Sequence, residues 1–213
     1  MMSFLLSFSA GFALSASLII AIGAQNLFVL RQGLKCQHVG AIVLFCGVSD
    51  AVLIIAGVNG MGALVSALPV LSMGFTLAGA AFLGWYGVQS LRRAARHDSM
   101  SIVTGQGVSL RQALAAVAAF TWLNPHVYLD TVLLMGAAAM AQPVPARPVF
   151  AAGAASASFL WFAALGYGAR LLQPIFARPR AWQSLDVVMG GIMLMLSMSL
   201  LWSSFFHHCL TQE

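Results

Sequence analysis

Charge is what this sequence has least of. Only 7% of its 213 residues are charged, against 61% hydrophobic and a mean hydropathy of +0.91. Soluble globular chains run near a quarter charged, so a water-facing surface cannot be assembled from this composition. Cysteine is also scarce. Cys36, Cys46 and Cys209 lie far apart with no C-x-x-C, which leaves neither a disulfide framework nor a zinc site. A Ser-His-Asp set, a Walker loop and a dinucleotide fingerprint are all missing, so hydrolase, ATPase and oxidoreductase chemistry lack support. The chain reads as a non-enzyme with no cofactor and no metal. Its net charge of +5 would suggest nucleic acid only if a soluble basic face existed, and none is legible.

What is present is long apolar runs. They fall near residues 4–30, 39–67, 70–91, 112–140, 148–171 and 182–206, each about the 20 residues a bilayer crossing needs. Six transmembrane helices in a single all-α transmembrane domain, residues 1–213, are expected, with a loop at 92–111. Only a turn near Leu68 and Pro69 divides the second run from the third, so five spans is the competing count. The first run, from Phe4 to Leu30, lacks a basic flank and is about twice the length of a signal-peptide core, so it reads as a retained span.

Basic residues set the orientation. With alternating helices, one side of the membrane carries Arg31, Lys35, Arg92, Arg93, Arg96, Arg111, Arg170, Arg178 and Arg180, and the other carries Arg147 alone. Cytoplasmic loops concentrate Lys and Arg, which places the 92–111 loop in the cytoplasm and both termini outside it. Three spans per half, entering from opposite sides, is the arrangement of an inverted repeat. The sequence echo is faint: Asn26 and Asn124 each follow a disrupted stretch in the opening helix of their half, and Val48–Leu53 weakly resembles Ser156–Trp161.

Several residues are out of place in hydrocarbon. An ionised Asp at the centre of a span costs about 2.5–3.5 kcal/mol on insertion scales, yet Asp50 and Asp130 fall within the second and fourth runs. Each is either neutral and paired in a helix contact or part of a cation or proton site. In Thr121-Trp122-Leu123-Asn124-Pro125-His126-Val127-Tyr128, Pro125 lacks an N–H and pushes Asn124 out of helical geometry. The helix should break there, with Asn124 as N-cap and Pro125 as the first residue of a new half-helix whose exposed N–H groups face a midplane cavity. A packing kink without a ligand is the alternative. Gly23-Ala24-Gln25-Asn26 similarly interrupts the first run, and the amides of Gln25 and Asn26 would find partners in a neighbouring helix or in a substrate. His126 either relays protons or hydrogen-bonds a carbonyl. His207, His208 and Cys209 resemble metal ligands but lack a fourth and read as an interfacial tail. The Trp85-Tyr86 and Trp161-Phe162 pairs read as belt or packing aromatics.

Taken together, Ile22-Gly-Ala-Gln-Asn-Leu-Phe-Val-Leu-Arg-Gln-Gly33, Ser49-Asp50 with Ile55-Ala56-Gly57, Thr121-Trp-Leu-Asn-Pro-His-Val-Tyr-Leu-Asp130 and Ala157-Ser-Phe-Leu-Trp-Phe162 resemble the LysE-type exporters of basic amino acids. The resemblance runs nearly end to end. Gly-x-Gln-Asn in the first run is similar to the arginine and lysine branch, and Ala24 stands where many relatives have Pro, which predicts a softer first break. The resemblance implies a secondary transporter in a bacterial inner membrane that exports arginine or lysine from the cytoplasm, with protons as coupling ion and self-association left open. The implied substrate contacts are Gln25, Asn26, Asn124, His126, Tyr128 and Asp130, the coupling groups Asp50 and Asp130, and the helix breaks Gly23 and Pro125. Exporters of neutral amino acids and of cations or metals in the same superfamily are the alternative. A thiol-redox membrane protein would need paired cysteines.

The charge distribution predicts reporter-fusion results. Fusions after Arg96 and Arg178 should report as cytoplasmic, and fusions after Gln142 and at the C-terminus as periplasmic; a cytoplasmic C-terminus with a periplasmic Arg96 would contradict it.

Overall fold

The computed structural model describes residues 2–20, 23–60, 69–95 and 108–210, and among them there are helices and no strands. Residues 61–67 of the second expected span, the turn at Leu68 and residues 96–107 of the expected loop lie outside the described residues, as do the side chains of His207, His208 and Cys209.

The first run is two helices. α1 (Met2–Ile19) and α2 (Ala24–Leu34) meet at 83°, a far sharper break than Ala24 in place of Pro suggested. Gly23 is extended at the junction, and Asn26 makes the bend tenable by donating from Nδ2 to the Ile19 carbonyl at 2.7 Å. A carbonyl released in hydrocarbon would otherwise lack a donor. α3 (Val39–Val58) ends where the Asn59 side chain turns back onto the Ile55 carbonyl and Gly60 takes a left-handed φ of 87°. α4 (Pro69–Ala95) is 27 residues long. α5 (Leu110–Trp122) starts from a Ser109/Gln112 capping box, which satisfies two helix-end donors reciprocally. After a break at Leu123 and Asn124 come α6 (Pro125–Tyr128), a π-helical stretch (Leu129–Leu134) and α7 (Met135–Met140). α8 (Arg147–Gly168) tightens into a 3-10 turn (Ala169–Leu172) and α9 (Gln173–Phe176), and α10 (Pro179–Leu210) follows.

Among the described residues each of the six expected stretches contains helix, interrupted at Gly23 in the first, at Asn59 and Gly60 in the second and at Leu123 and Asn124 in the fourth. By length and apolarity, three segments among the described residues can each cross a bilayer: Val39–Val58, Val144–Phe176 and Arg180–Trp202. The bent pair Phe4–Ile19 with Ala24–Leu34 makes a fourth when counted as one span. Trp85, Leu160, Met198 and Trp202 point outward and exposed, as lipid-facing residues should.

α4 packs along α10, α8 packs against both α1 and α3, and α3 lies along the π stretch and α7. Small residues let these backbones touch. A Cβ on Gly153 would strike the Phe8 carbonyl oxygen and one on Gly11 the Phe150 carbonyl oxygen, while Gly57 and Gly136 face each other across α3 and α7. Close backbone approach replaces the hydrophobic drive that helices lose in lipid. Phe28, Phe82, Tyr86 and Phe120 form a core cluster from α2, α4 and α5, with centroids at 4.9 Å for Phe82–Phe120, 5.0 Å for Tyr86–Phe120 and 5.3 Å for Phe28–Phe120.

The two ends of the bundle differ. At one end the α2–α3 connection meets the segment before α5 through His38 Nε2 and the Val108 carbonyl at 2.9 Å, and meets α9 through Gln173 Nε2 and Cys36 Sγ at 3.1 Å. At the other, Ser7 near the start of α1 donates to Gln142 Oε1 at 2.8 Å.

Gly153→Val should destabilise the detergent-solubilised protein by about 1–3 kcal/mol, the usual cost of overpacking. Gly191→Ala, where a Cβ meets nothing within 4 Å, should leave the melting temperature unchanged or slightly higher. Equal thermal shifts in the two variants would refute the packing account.

Candidate functional site

The second break sets the site. Asn124 is extended at φ −93° and ψ 109°, as a residue before proline must be, and its side chain accepts from the His126 N–H at 3.1 Å. Pro125 occupies the first helical position, where the missing N–H costs nothing. The predicted cap is therefore present. One detail differs from expectation: the N–H groups of His126 and Val127 are both satisfied by Asn124, through its side chain and its carbonyl. What the half-helix offers a ligand is its dipole rather than open donors.

Upstream of the break, the Tyr128 hydroxyl donates to the Trp122 carbonyl at 2.7 Å. Downstream, Asp130 sits in the π-helical stretch, a local widening that often accompanies functional sites. The Thr131 hydroxyl bonds the Val127 carbonyl one turn back.

Between the two breaks lies a cavity of about 300 Å³. Its wall includes Gly23, Gln25, Asn26, Asp50, Asn124, His126 and Asp130, so residues up to 107 positions apart in sequence converge there. Tyr128 is not part of the wall, because its hydroxyl is turned back to the helix break. Pro125 is not part of the wall either, although its neighbours Asn124 and His126 are. Asp50 is 6% exposed on α3, with Ser158 of α8 within hydrogen-bonding reach and Ser15 of α1 beyond it at 3.5 Å from Ser158. Asp130 is half-buried one turn after His126. Gln25 presents a buried Nε2 with no partner. Asn26 is committed: it holds the Ile19 carbonyl, and its Oδ1 accepts from Trp161 Nε1 at 3.3 Å. Among the described residues the wall contains two carboxylates and no Lys or Arg.

Sequence reasoning missed three things here. Ser15 and Ser158 carried no signal, being isolated hydroxyls in apolar runs. Trp161, read as a packing aromatic, also holds Asn26. The third is a buried ionic cluster at the end of the bundle that carries Lys35. Arg31 of α2 pairs with Asp186 of α10 at 3.2 Å, Arg93 of α4 reaches the same carboxylate oxygen at 3.4 Å, and Arg93 also bonds the Ser90 hydroxyl. Asp186 stands four residues inside the last expected span, close to its beginning.

The model of the LysE type translocator matches residues 16–204. The chain belongs to that family. It is accordingly a membrane transporter rather than an enzyme. Among its relatives, the arginine exporter protein ArgO of Yersinia enterocolitica is 42% identical over 194 residues, covering 91% of this chain and 95% of that one. Proteins of Mycobacterium bovis and Mycobacterium tuberculosis, provisionally named amino-acid transporters, are each 43% identical over 175 residues, covering 82% of this chain and 87% of theirs. No solved structure matches this LysE-family chain.

The ionic cluster makes a pH prediction outside the spans. Lys35 is the sole lysine of the chain. Its ammonium is pushed down to about 8, first by burial and then by Arg31 and Arg93, with Asp186 opposing. Below that pH it is protonated, and above it the amine is free to react. Labelling of Lys35 by an amine reagent, followed by mass spectrometry, should be half-maximal near pH 8. Asp186→Asn, which removes the opposing carboxylate, should move the midpoint lower. A midpoint near 10.5, the ordinary value, would contradict the crowding.

Proposed function

We propose that this chain is a secondary transporter that exports basic L-amino acids, arginine or lysine, from the cytoplasm in exchange for protons across a bacterial inner membrane. The observation that carries the reading is the charge of the cavity wall: among the described residues, two carboxylates, no Lys or Arg, a free amide donor and a half-helix N-terminus. A molecule with one cationic side chain, one ammonium and one carboxylate matches that wall, and a net anion does not. The substrate carboxylate is held by Gln25 Nε2 under the dipole at Asn124, and its cationic end by Asp130, with His126 beside it. The relative named an arginine exporter supports this choice of substrate.

Asp50 is the coupling group in this reading. It is more enclosed than Asp130, and the Ser158 hydroxyl, itself 3.5 Å from that of Ser15, gives it a neutral partner in place of a counter-ion. Expelling one positive charge against about 100 mV, inside negative, costs roughly 2.3 kcal/mol. One inbound proton per substrate cancels that electrical term. The architecture that goes with the mechanism is a single transporter domain of six crossings in two inverted halves, both termini periplasmic. Pairing of α3 with α8 and of α4 with α10 is what such halves would give, second with fifth and third with sixth.

Two experiments in proteoliposomes test the reading. Replacing Asn124 and Pro125 together by Ala should restore an unbroken helix, leaving insertion intact and reducing arginine counterflow at least about tenfold; wild-type counterflow would reduce the break to a packing kink. Asp50→Asn should abolish export driven by an imposed pH gradient, whereas Asp130→Asn should mainly raise the apparent KM for arginine and lysine. Unchanged pH dependence and affinity in both variants would remove the carboxylates from the mechanism.

A further inference from the structure

We propose that α2 is the gate that closes the cavity toward the Lys35 end of the bundle, and that the Arg31–Asp186–Arg93 network is the latch that holds it shut. The inference rests on the transporter reading above and adds a moving part to it. Three layers follow one another along α2. Gln25 and Asn26 line the cavity, Phe28 enters the ring cluster with Phe82, Tyr86 and Phe120, and Arg31 enters the ion network with Asp186 and Arg93. Residues 28 and 31 are three apart and share a helix face, so a single displacement of α2 would empty both layers together.

The layers are themselves joined, since the Arg93 guanidinium lies 5.5 Å over the Tyr86 ring. The partners of α2 here, Arg93 on α4 and Asp186 on α10, belong to helices that pack along each other, so the latch ties one short helix to a fixed pair. The 83° junction at Gly23 ends the continuous helix between α1 and α2, so that α2 is tied to α1 there by the Asn26–Ile19 hydrogen bond and not by an unbroken helical backbone.

The latch is built to release. Arg31 and Asp186 are 4% and 3% exposed, but Arg93, Arg31 and Lys35 crowd one carboxylate, and the buried Arg31 Nε has no partner. An excess of like charge weakens the closed arrangement relative to a plain ion pair. A gate that closes once per cycle needs that balance, because a fully satisfied buried network would not open.

The test reads accessibility rather than transport. Leu196→Cys places a thiol in the cavity wall on α10, in a chain whose Cys36, Cys46 and Cys209 are replaced by Ser. A membrane-impermeant maleimide is applied to vesicles of each orientation, without substrate. In the parent, labelling from the Lys35 side should be slow; Asp186→Asn should raise it on the order of tenfold, a shift in population toward the open gate. Combining Arg31→Asp with Asp186→Arg should restore the slow rate by re-forming the pair in reverse. Arg93→Gln, which removes the longer contact, should have a smaller effect of the same sign, and it decides the matter if Asp186→Asn does not reach the membrane. Unchanged labelling from the Lys35 side in the inserted variants would overturn the latch, and so would failure of the charge reversal to restore slow labelling. Absence of arginine counterflow in the wild type would overturn the transporter reading and leave the accessibility result standing.

Discussion

Backbone carbonyls and amides cannot be left open in hydrocarbon, and this constraint governs both helix breaks. Each break frees backbone polar groups, and each is closed by a side chain of the same motif. Asn26 serves the Ile19 carbonyl, Tyr128 serves the Trp122 carbonyl, and Asn124 serves the His126 N–H. Three residues that look like substrate ligands in the sequence thus do structural work first. Asn26 and Asn124 still line the cavity, beside the wall groups Gln25, Asp50, His126 and Asp130 that make no such backbone closure.

That division of labour explains what the sequence made legible. Composition gives the membrane class, and the proline after Asn124 gives the second break with its cap, because both follow from local stereochemistry. Asp50 and Asp130 stand out since burial of a carboxylate is costly wherever it occurs. A midplane cavity is expected at the second break, but which residues meet in it depends on how α3 and α8 bring distant stretches together. The 83° angle of the first break was underestimated, because Gly23 and the Asn26 clasp supply what proline would have supplied.

The ionic cluster was illegible for a different reason. Arg31, Arg93 and Asp186 each lie near the end of an apolar run, where charge is ordinary and counts toward topology. Only packing of α2 against α4 and α10 turns three boundary charges into a buried network. The same residues therefore carry two messages: orientation in the sequence and closure in the fold. The π-helical stretch around Asp130 had no sequence signal at all.

A wall with two carboxylates and one free amide should distinguish ligands by both of their ends. Displacement of labelled arginine from the purified protein by unlabelled analogues measures this directly. Arginine and lysine should displace fully, while citrulline, which lacks the cationic side chain, and agmatine, which lacks the carboxylate, should each compete on the order of a hundredfold more weakly, as expected when a buried charge loses its partner. Equal displacement by citrulline would contradict the account of what the cavity is for.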